Sequence, residues 1–148
     1  MSFVTEASRT LPVSAEVAFD CLADYDSWAE WMPDSFRPIT RSVGQLRPGV
    51  KAQVRIMGGP LPASIRVRVA DRGRELTWGG GVRGVFLADH RFLFERKGDS
   101  SVDVRSVERW SGVVAAVLRR ALVPSAERIG REQLEALEKA AVARATRR

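Results

Sequence analysis

The feature that most limits the fold of this chain is a change in its hydrophobic period near Gly112. Before Gly112, alternating apolar and polar segments are separated by short runs rich in glycine, proline or aspartate. Such short connections join antiparallel neighbours, because a parallel pair needs a crossover of about a dozen residues or more. We therefore predict an antiparallel meander. Its strands are expected over 36–43, 50–57, 63–70, 75–78, 85–96 and 102–110.

A further strand and two short helices are predicted ahead of this meander. Residues 3–11 alternate as a strand does, and the Pro-Val-Ser segment that follows ends it. Ser14 is a suitable N-cap for a helix over 15–23, where apolar residues recur at helical spacing. A second short helix is expected over 27–31, ended by Pro33.

After Gly112 the apolar residues recur at helical spacing almost to the end of the chain. Pro124 separates two apolar stripes, so a kink or a restart of the helix is expected there. No linker or repeat divides the chain, and we predict a single α+β domain over 1–148. The first stripe contains Val113, Val114, Val117, Leu118, Ala121 and Leu122. The second contains Ala126, Ile129, Gly130, Gln133, Leu134, Leu137 and Ala141.

The composition argues against several classes of site. The chain has one cysteine and one histidine, too few for a disulfide, a CxxC pair or a histidine-rich zinc site. The segment 79–84 matches GxGxxG, but a strand rather than a helix is predicted after it, so a dinucleotide is not expected. No metal ion and no cofactor are predicted.

Charge and hydropathy indicate which partners and which cellular location to expect. The net charge is +6, but the arginines are spread along the chain, so no nucleic-acid partner is predicted. No window approaches the roughly 18 apolar residues of a membrane span, and no signal peptide is visible. A cytoplasmic location is expected. The oligomeric state, monomer or homodimer, stays open.

Five short motifs, taken in their order, resemble the START-like or helix-grip superfamily, which includes Bet v 1-like proteins and the polyketide cyclase/dehydrase group. The motifs are LPVSAEVAF at 11–19, WAEWMP at 28–33, LTWG at 76–79, HRFLFE at 90–95 and ERWSG at 108–112. The resemblance implies a seven-stranded curved antiparallel sheet around a long C-terminal helix. It also implies a cavity for a hydrophobic molecule. It implies no single function, because the superfamily contains enzymes, lipid and quinone binders, and hormone receptors.

Strand alternation places His90 opposite Glu108. His90, Phe92 and Phe94 share one face of the sixth predicted strand, and Glu108 and Trp110 share one face of the seventh. A three-residue turn at 98–100 keeps both apolar faces inward. The Cβ atoms of His90 and Glu108 are then about 5 Å apart.

This pair has two interpretations. It can perform general acid–base catalysis, with Glu108 orienting the imidazole while the other ring nitrogen moves a proton on a ligand. It can instead be a structural pair that joins two strands. Burial and the neighbouring carboxylate shift the pKa of His90 in opposite directions, so the sign of the shift stays open.

Candidate ligand contacts come from the inward face of the sheet and from the helices. The inward aromatic residues are typical of a small-molecule pocket, although packing against a helix also requires them. Gln133, on the second stripe, needs a polar partner, and Gly130 beside it suggests a close approach. Arg41 reaches either a carbonyl or carboxylate of a ligand or the solvent at a strand end. The aromatic candidates are Trp78, Phe92, Phe94 and Trp110 on the sheet. In the segment that the resemblance places at a cavity mouth, the candidates are Tyr25, Trp28 and Trp31.

Three functional hypotheses follow. The first is an enzyme of the polyketide cyclase, aromatase or dehydratase kind, with His90 and Glu108 as its catalytic residues. The second is a non-catalytic carrier of a lipid, quinone or pigment, which needs the cavity but no titrating pair. The third and weakest is a module at a membrane surface, using residues 113–122 with Arg119 and Arg120.

Overall fold

Seven antiparallel strands form one curled sheet in the computed structural model, which describes residues 2–40, 42–56 and 62–147. Their order across the sheet is β1-β7-β6-β5-β4-β3-β2, so only β1 lies beside a strand distant in sequence. The predicted meander is confirmed. The strands are β1 (Ser2–Leu11), β2 (Phe36–Pro38), β3 (Lys51–Ile56), β4 (Ala63–Asp71), β5 (Glu75–Val82), β6 (Phe86–Gly98) and β7 (Ser101–Ser111).

The helices follow β1 and β7, as predicted. Ser14 caps the first helix, because its hydroxyl accepts a hydrogen bond from the Val17 amide at 3.1 Å. Among the residues that the structure describes, no helix combines the length and the apolar character needed to cross a membrane. The helices are α1 (Ala15–Ala23), a 3-10 turn (Tyr25–Ser27), α2 (Trp28–Trp31), α3 (Val113–Val117) and α4 (Arg119–Thr146).

The second strand is much shorter than predicted. It ends at Pro38, and the amides of Ile39 and Thr40 both donate to the Tyr25 hydroxyl at 3.1 Å. Ser42 has a φ of 55°, in the left-handed region, so the backbone leaves the extended conformation there. Ile39 still donates its amide to the Gln53 carbonyl of β3 at 2.9 Å, but the described residues beyond Pro38 do not continue the strand.

The glycine run at 79–81 continues a strand rather than forming the predicted turn. β5 extends to Val82 and pairs with β6 as far as Val82 opposite Phe86. A Cβ atom on Gly80 would overlap the Ser64 carbonyl oxygen of the adjacent strand. These glycines allow β4 and β6 to approach β5 closely. A run of glycines in the sequence does not by itself distinguish this role from that of a turn.

The C-terminal helix breaks at Leu118 and not at Pro124. Pro124 lies inside α4, near its start, where the loss of one backbone donor affects only the second turn. Most of the first apolar stripe is not buried: Val113 is 70% exposed and Val117 is 78% exposed, and only its last member, Leu122, lies in the core. The second stripe is buried, and Gly130 brings α4 so close to β1 that an added Cβ would lie 3.2 Å from the Ala7 Cβ.

The close approach at Gly80 makes a prediction about stability. We expect Gly80→Ala to lower the free energy of unfolding by about 1–3 kcal/mol, because the new methyl group forces two backbones apart. Urea unfolding followed by circular dichroism measures this loss.

The matched control is Gly98→Ala at the end of β6, where no atom lies within 4 Å of the added Cβ. This variant is expected to change stability by less than about 0.5 kcal/mol. Equal losses in the two variants would contradict the role of Gly80.

Candidate functional site

A cavity of about 290 Å³ lies between the sheet and α4. Its walls are almost entirely apolar. Apart from the indoles of Trp78 and Trp110, the polar side chains among its described lining residues are Ser64, His90, Glu108 and Gln133. The remaining lining residues are Phe36, Ile56, Ala63, Ile65, Gly80, Gly81, Phe86, Ala88, Leu118, Leu122, Ala126 and Ile129. Such a cavity has the shape and polarity of a small-molecule site.

The predicted register brings His90 and Glu108 together. The two residues are direct partners across β6 and β7, and His90 Nδ1 lies 3.8 Å from Glu108 Oε2. That distance is longer than a hydrogen bond. The structure thus confirms that His90 and Glu108 are cross-strand partners, but in this structure their side chains are not hydrogen-bonded to each other.

The imidazole of His90 is fixed by its neighbours. The ring is 4% exposed and stacks on Phe92, with ring centroids 4.2 Å apart. The His90 and Trp78 rings pack edge to face, with centroids 5.3 Å apart. Burial lowers the pKa of His90 to about 3, so the ring is neutral at neutral pH.

Ser106 holds the second ring nitrogen. His90 Nε2 and Ser106 Oγ are 2.6 Å apart, so the nitrogen that the sequence analysis assigned to the ligand already has a protein partner. Ser106 shares the inward face of β7 with Glu108, because alternate residues of a strand point the same way, but the sequence analysis gave it no role. The contact runs diagonally between the two strands, and direct pairing alone does not reveal it.

Glu108 is a neutral acid at neutral pH. Burial raises the pKa of its carboxyl to about 8, and no described residue donates a hydrogen bond to it. Its side chain keeps 15% of its surface accessible, on the wall of the cavity that it lines. His90 and Glu108 are therefore two neutral groups side by side and not an ion pair.

Gln133 lies on α4, across the cavity from the sheet. It is 3% exposed, and its Nε2 atom donates a long contact of 3.9 Å to Met32 Sδ. Its Oε1 atom is buried and has no hydrogen-bond partner among the described residues. The polar partner expected for Gln133 is thus only a weak sulfur acceptor.

The other predicted aromatic contacts fall into two groups. Trp78 and Trp110 line the cavity, and Trp110 Nε1 donates to Thr5 Oγ1 at 3.1 Å. The Phe92 ring stacks on the His90 ring, and Phe94 packs against Phe19 with ring centroids 5.6 Å apart. Neither phenylalanine is among the lining residues.

The residues around α2 also lie outside the cavity lining. Tyr25 donates its hydroxyl to the Gln53 carbonyl at 2.7 Å, and Trp28 donates its indole N–H to the Leu22 carbonyl at 2.9 Å. Trp31 is half-buried and donates to Ser27 Oγ at 3.0 Å. Tyr25 and Trp28 belong to the main hydrophobic core, and Trp31 packs against it. Arg41 lies outside the described residues.

The fold and the cavity define a helix-grip protein of the START-like superfamily. The sequence model of the family described as "Polyketide cyclase / dehydrase and lipid transport" matches residues 2–142. The chain therefore belongs to this family. No curated protein matches the sequence.

Solved structures support the same fold. An aromatase/cyclase from Streptomyces sp. R1128 superposes with a TM-score of 0.76 at 12% identity, covering 98% of this chain and 96% of that chain. A norcoclaurine synthase point mutant from Thalictrum flavum gives a TM-score of 0.71 at 10% identity, covering 97% and 96%. A hypothetical protein from Helicobacter pylori gives 0.75 at 15% identity, covering 94% and 88%.

The two shifted pKa values predict how stability depends on pH. Because the pKa of folded Glu108 rises from 4.5 to about 8, the unfolded chain loses this proton first, and stability falls as pH increases between those values. Because the pKa of folded His90 falls from 6.5 to about 3, stability falls as pH decreases below 6.5. Above pH 6.5 the Glu108 contribution is therefore unopposed.

In wild-type protein we expect the free energy of unfolding to fall by up to about 1.4 kcal/mol per pH unit between pH 6.5 and 8. We expect Glu108→Gln to abolish this dependence on pH. Urea unfolding midpoints across that interval measure it. His90→Gln serves as the control and should keep this slope while losing the one below pH 6.5. An unchanged slope in Glu108→Gln would show that the carboxyl is already ionised in the folded protein.

Proposed function

We propose that this protein binds a mostly apolar small molecule in the cavity and acts on it by acid–base chemistry of the cyclase, aromatase or dehydratase kind. The observation that carries the proposal is the Glu108 carboxyl, a desolvated acid on the wall of an otherwise apolar cavity. A carboxylic acid with a raised pKa is a competent proton donor near neutral pH.

Glu108 can carry both proton transfers of a dehydration. On a β-hydroxy carbonyl compound, its carboxyl protonates the departing hydroxyl as the C–O bond breaks and water leaves. In the same step the developing carboxylate accepts a proton from the carbon next to the carbonyl, and the electrons of that C–H bond form the C=C bond, so no free cation is formed. Glu108 ends protonated, so the cycle needs no further reagent.

His90 acts as a positioning residue in this proposal. Its ring is held by Phe92 and Ser106, and its Nδ1 atom faces the Glu108 carboxyl at 3.8 Å. Because the imidazole cannot move, it occupies the space on one side of the Glu108 carboxyl and so keeps the carboxyl directed toward the cavity. It also supplies a dipole beside the carboxylate that exists briefly during the reaction.

The aromatic wall supports a planar or cyclising substrate. Trp78, Trp110, Phe36 and Phe86 all line the cavity. Apolar walls favour a folded, ring-forming arrangement of the substrate, and orientation alone can contribute about 7–11 kcal/mol to a rate. The family description and the aromatase/cyclase among similar structures agree with this class of chemistry.

A non-catalytic carrier is the second candidate function. The observation that favours it is that His90 is already satisfied by Ser106 and lies beyond hydrogen-bond distance from Glu108. The description of the family also includes lipid transport. A carrier of a lipid, quinone or pigment would use the same walls, and the Glu108 carboxyl would keep its proton without transferring it to the ligand.

The deciding experiment incubates the purified protein with a small-molecule extract of its host and follows the compounds by mass spectrometry. The proposal predicts compounds consumed, with products lighter by one water or isomeric with the starting compound. Glu108→Gln is expected to lower that turnover by about 10²–10⁴-fold, since it removes the proton donor. His90→Gln is expected to cause a smaller loss.

Glu95→Gln is the matched control, because Glu95 is an exposed glutamate on the neighbouring strand β6, and turnover should be unchanged. Compounds that bind and return unchanged with wild-type protein and Glu108→Gln alike would favour the carrier. Full turnover in Glu108→Gln would disprove the assigned acid.

A further inference from the structure

We propose that the ligand of this cavity is an uncharged molecule carrying a hydroxyl or N–H group, which donates a hydrogen bond to Gln133 Oε1. This inference rests on the proposed function, because it concerns the same cavity. It goes further by assigning Gln133 as the residue that selects the ligand and by naming the group that is selected.

The first argument is the unsatisfied amide oxygen. Gln133 lines the cavity and is 3% exposed, yet its Oε1 atom has no hydrogen-bond partner among the described residues. Burying an amide oxygen without a partner lowers the stability of the folded state. A methionine or leucine here would avoid that cost, so a ligand that supplies the missing donor explains why a glutamine is placed here.

The second argument is the orientation of the amide. Its Nε2 atom points to Met32 Sδ at 3.9 Å, and a thioether sulfur accepts hydrogen bonds but cannot donate them. The amide nitrogen therefore belongs on the Met32 side, so the oxygen is the Gln133 atom that is left for a ligand. The complementary ligand group is a donor, and an ether or ester oxygen at that point would not serve.

The third argument is the absence of positive charge. No lysine or arginine is among the described lining residues, and Glu108 is the one carboxyl group among them. A buried carboxylate or phosphate on the ligand would lack a counter-ion and would lie near that acid. On the neighbouring strand β4, Arg68 is paired with Asp89 at 2.8 Å. An uncharged ligand fits this cavity, and an anionic one does not.

The experiment compares three two-ring probes by isothermal titration calorimetry. They are 2-naphthol, which donates a hydrogen bond, 2-methoxynaphthalene, which cannot, and 2-naphthoate, which is anionic. For wild-type protein we expect 2-naphthol to bind about five- to tenfold more tightly than 2-methoxynaphthalene. We expect 2-naphthoate to bind at least about tenfold more weakly than 2-naphthol.

The variant Gln133→Met separates the proposal from general apolar binding. It keeps the length of the side chain and removes the acceptor, so the ratio between 2-naphthol and 2-methoxynaphthalene should fall to near one. The unliganded variant should also unfold at a higher temperature than wild type, because a buried unpaired oxygen is gone. Gln45→Met, at an exposed glutamine, is the matched control and should leave all three affinities unchanged.

Each contrary result would overturn a different part of this proposal. If the ratio between 2-naphthol and 2-methoxynaphthalene is the same in wild type and Gln133→Met, the assigned hydrogen bond is wrong while the cavity and Glu108 stand. If 2-naphthoate binds as tightly as 2-naphthol, the requirement for an uncharged ligand is wrong. If none of the three probes binds, both this inference and the binding step of the proposed function fail.

Discussion

The pairing of β6 with β7 is the interaction on which the site depends. It places His90 directly opposite Glu108 and continues from Arg96 opposite Val102 to Leu87 opposite Ser111. A slip of one residue on either strand would turn its inward side chains to solvent. The apolar face of the slipped strand would then be lost from the core. Hydrophobic burial therefore holds His90 and Glu108 together although they form no hydrogen bond with each other.

Desolvation gives the cavity its chemical character. Burial lowers the pKa of His90 and raises the pKa of Glu108, so both groups lose their charge for the same physical reason. Together with Gln133 they present neutral polar groups within apolar walls. Such walls interact weakly with water, so water does not compete for the proton of the acid proposed at Glu108. The same burial lowers the stability of the fold, a cost that functional sites commonly carry.

Particular residues show where sequence reasoning ends. The N-cap at Ser14 and the register at His90 and Glu108 were predictable, because both follow from local spacing. The early end of β2 and the extension of β5 through Gly80 were not, since they depend on Tyr25 and Ser64, which approach from elsewhere in the chain. The helix break was expected at Pro124 and occurs at Leu118, where no residue type marks it.

The sequence by itself determined the order of strands and helices, the inward face of each central strand and the meeting of His90 with Glu108. Alternation decides these features, and it is a local property. The register is kept by a two-residue turn at 99–100 together with a bulge between Arg96 and Gly98, not by the three-residue turn expected at 98–100. Only the tertiary structure decided that Ser106 holds His90, that Tyr25 and Trp28 lie in the core rather than on the cavity wall, and that Gln133 Oε1 has no partner. Diagonal contacts, desolvation and the space left between a sheet and a helix arise from the packing of distant segments, which spacing along one chain cannot encode.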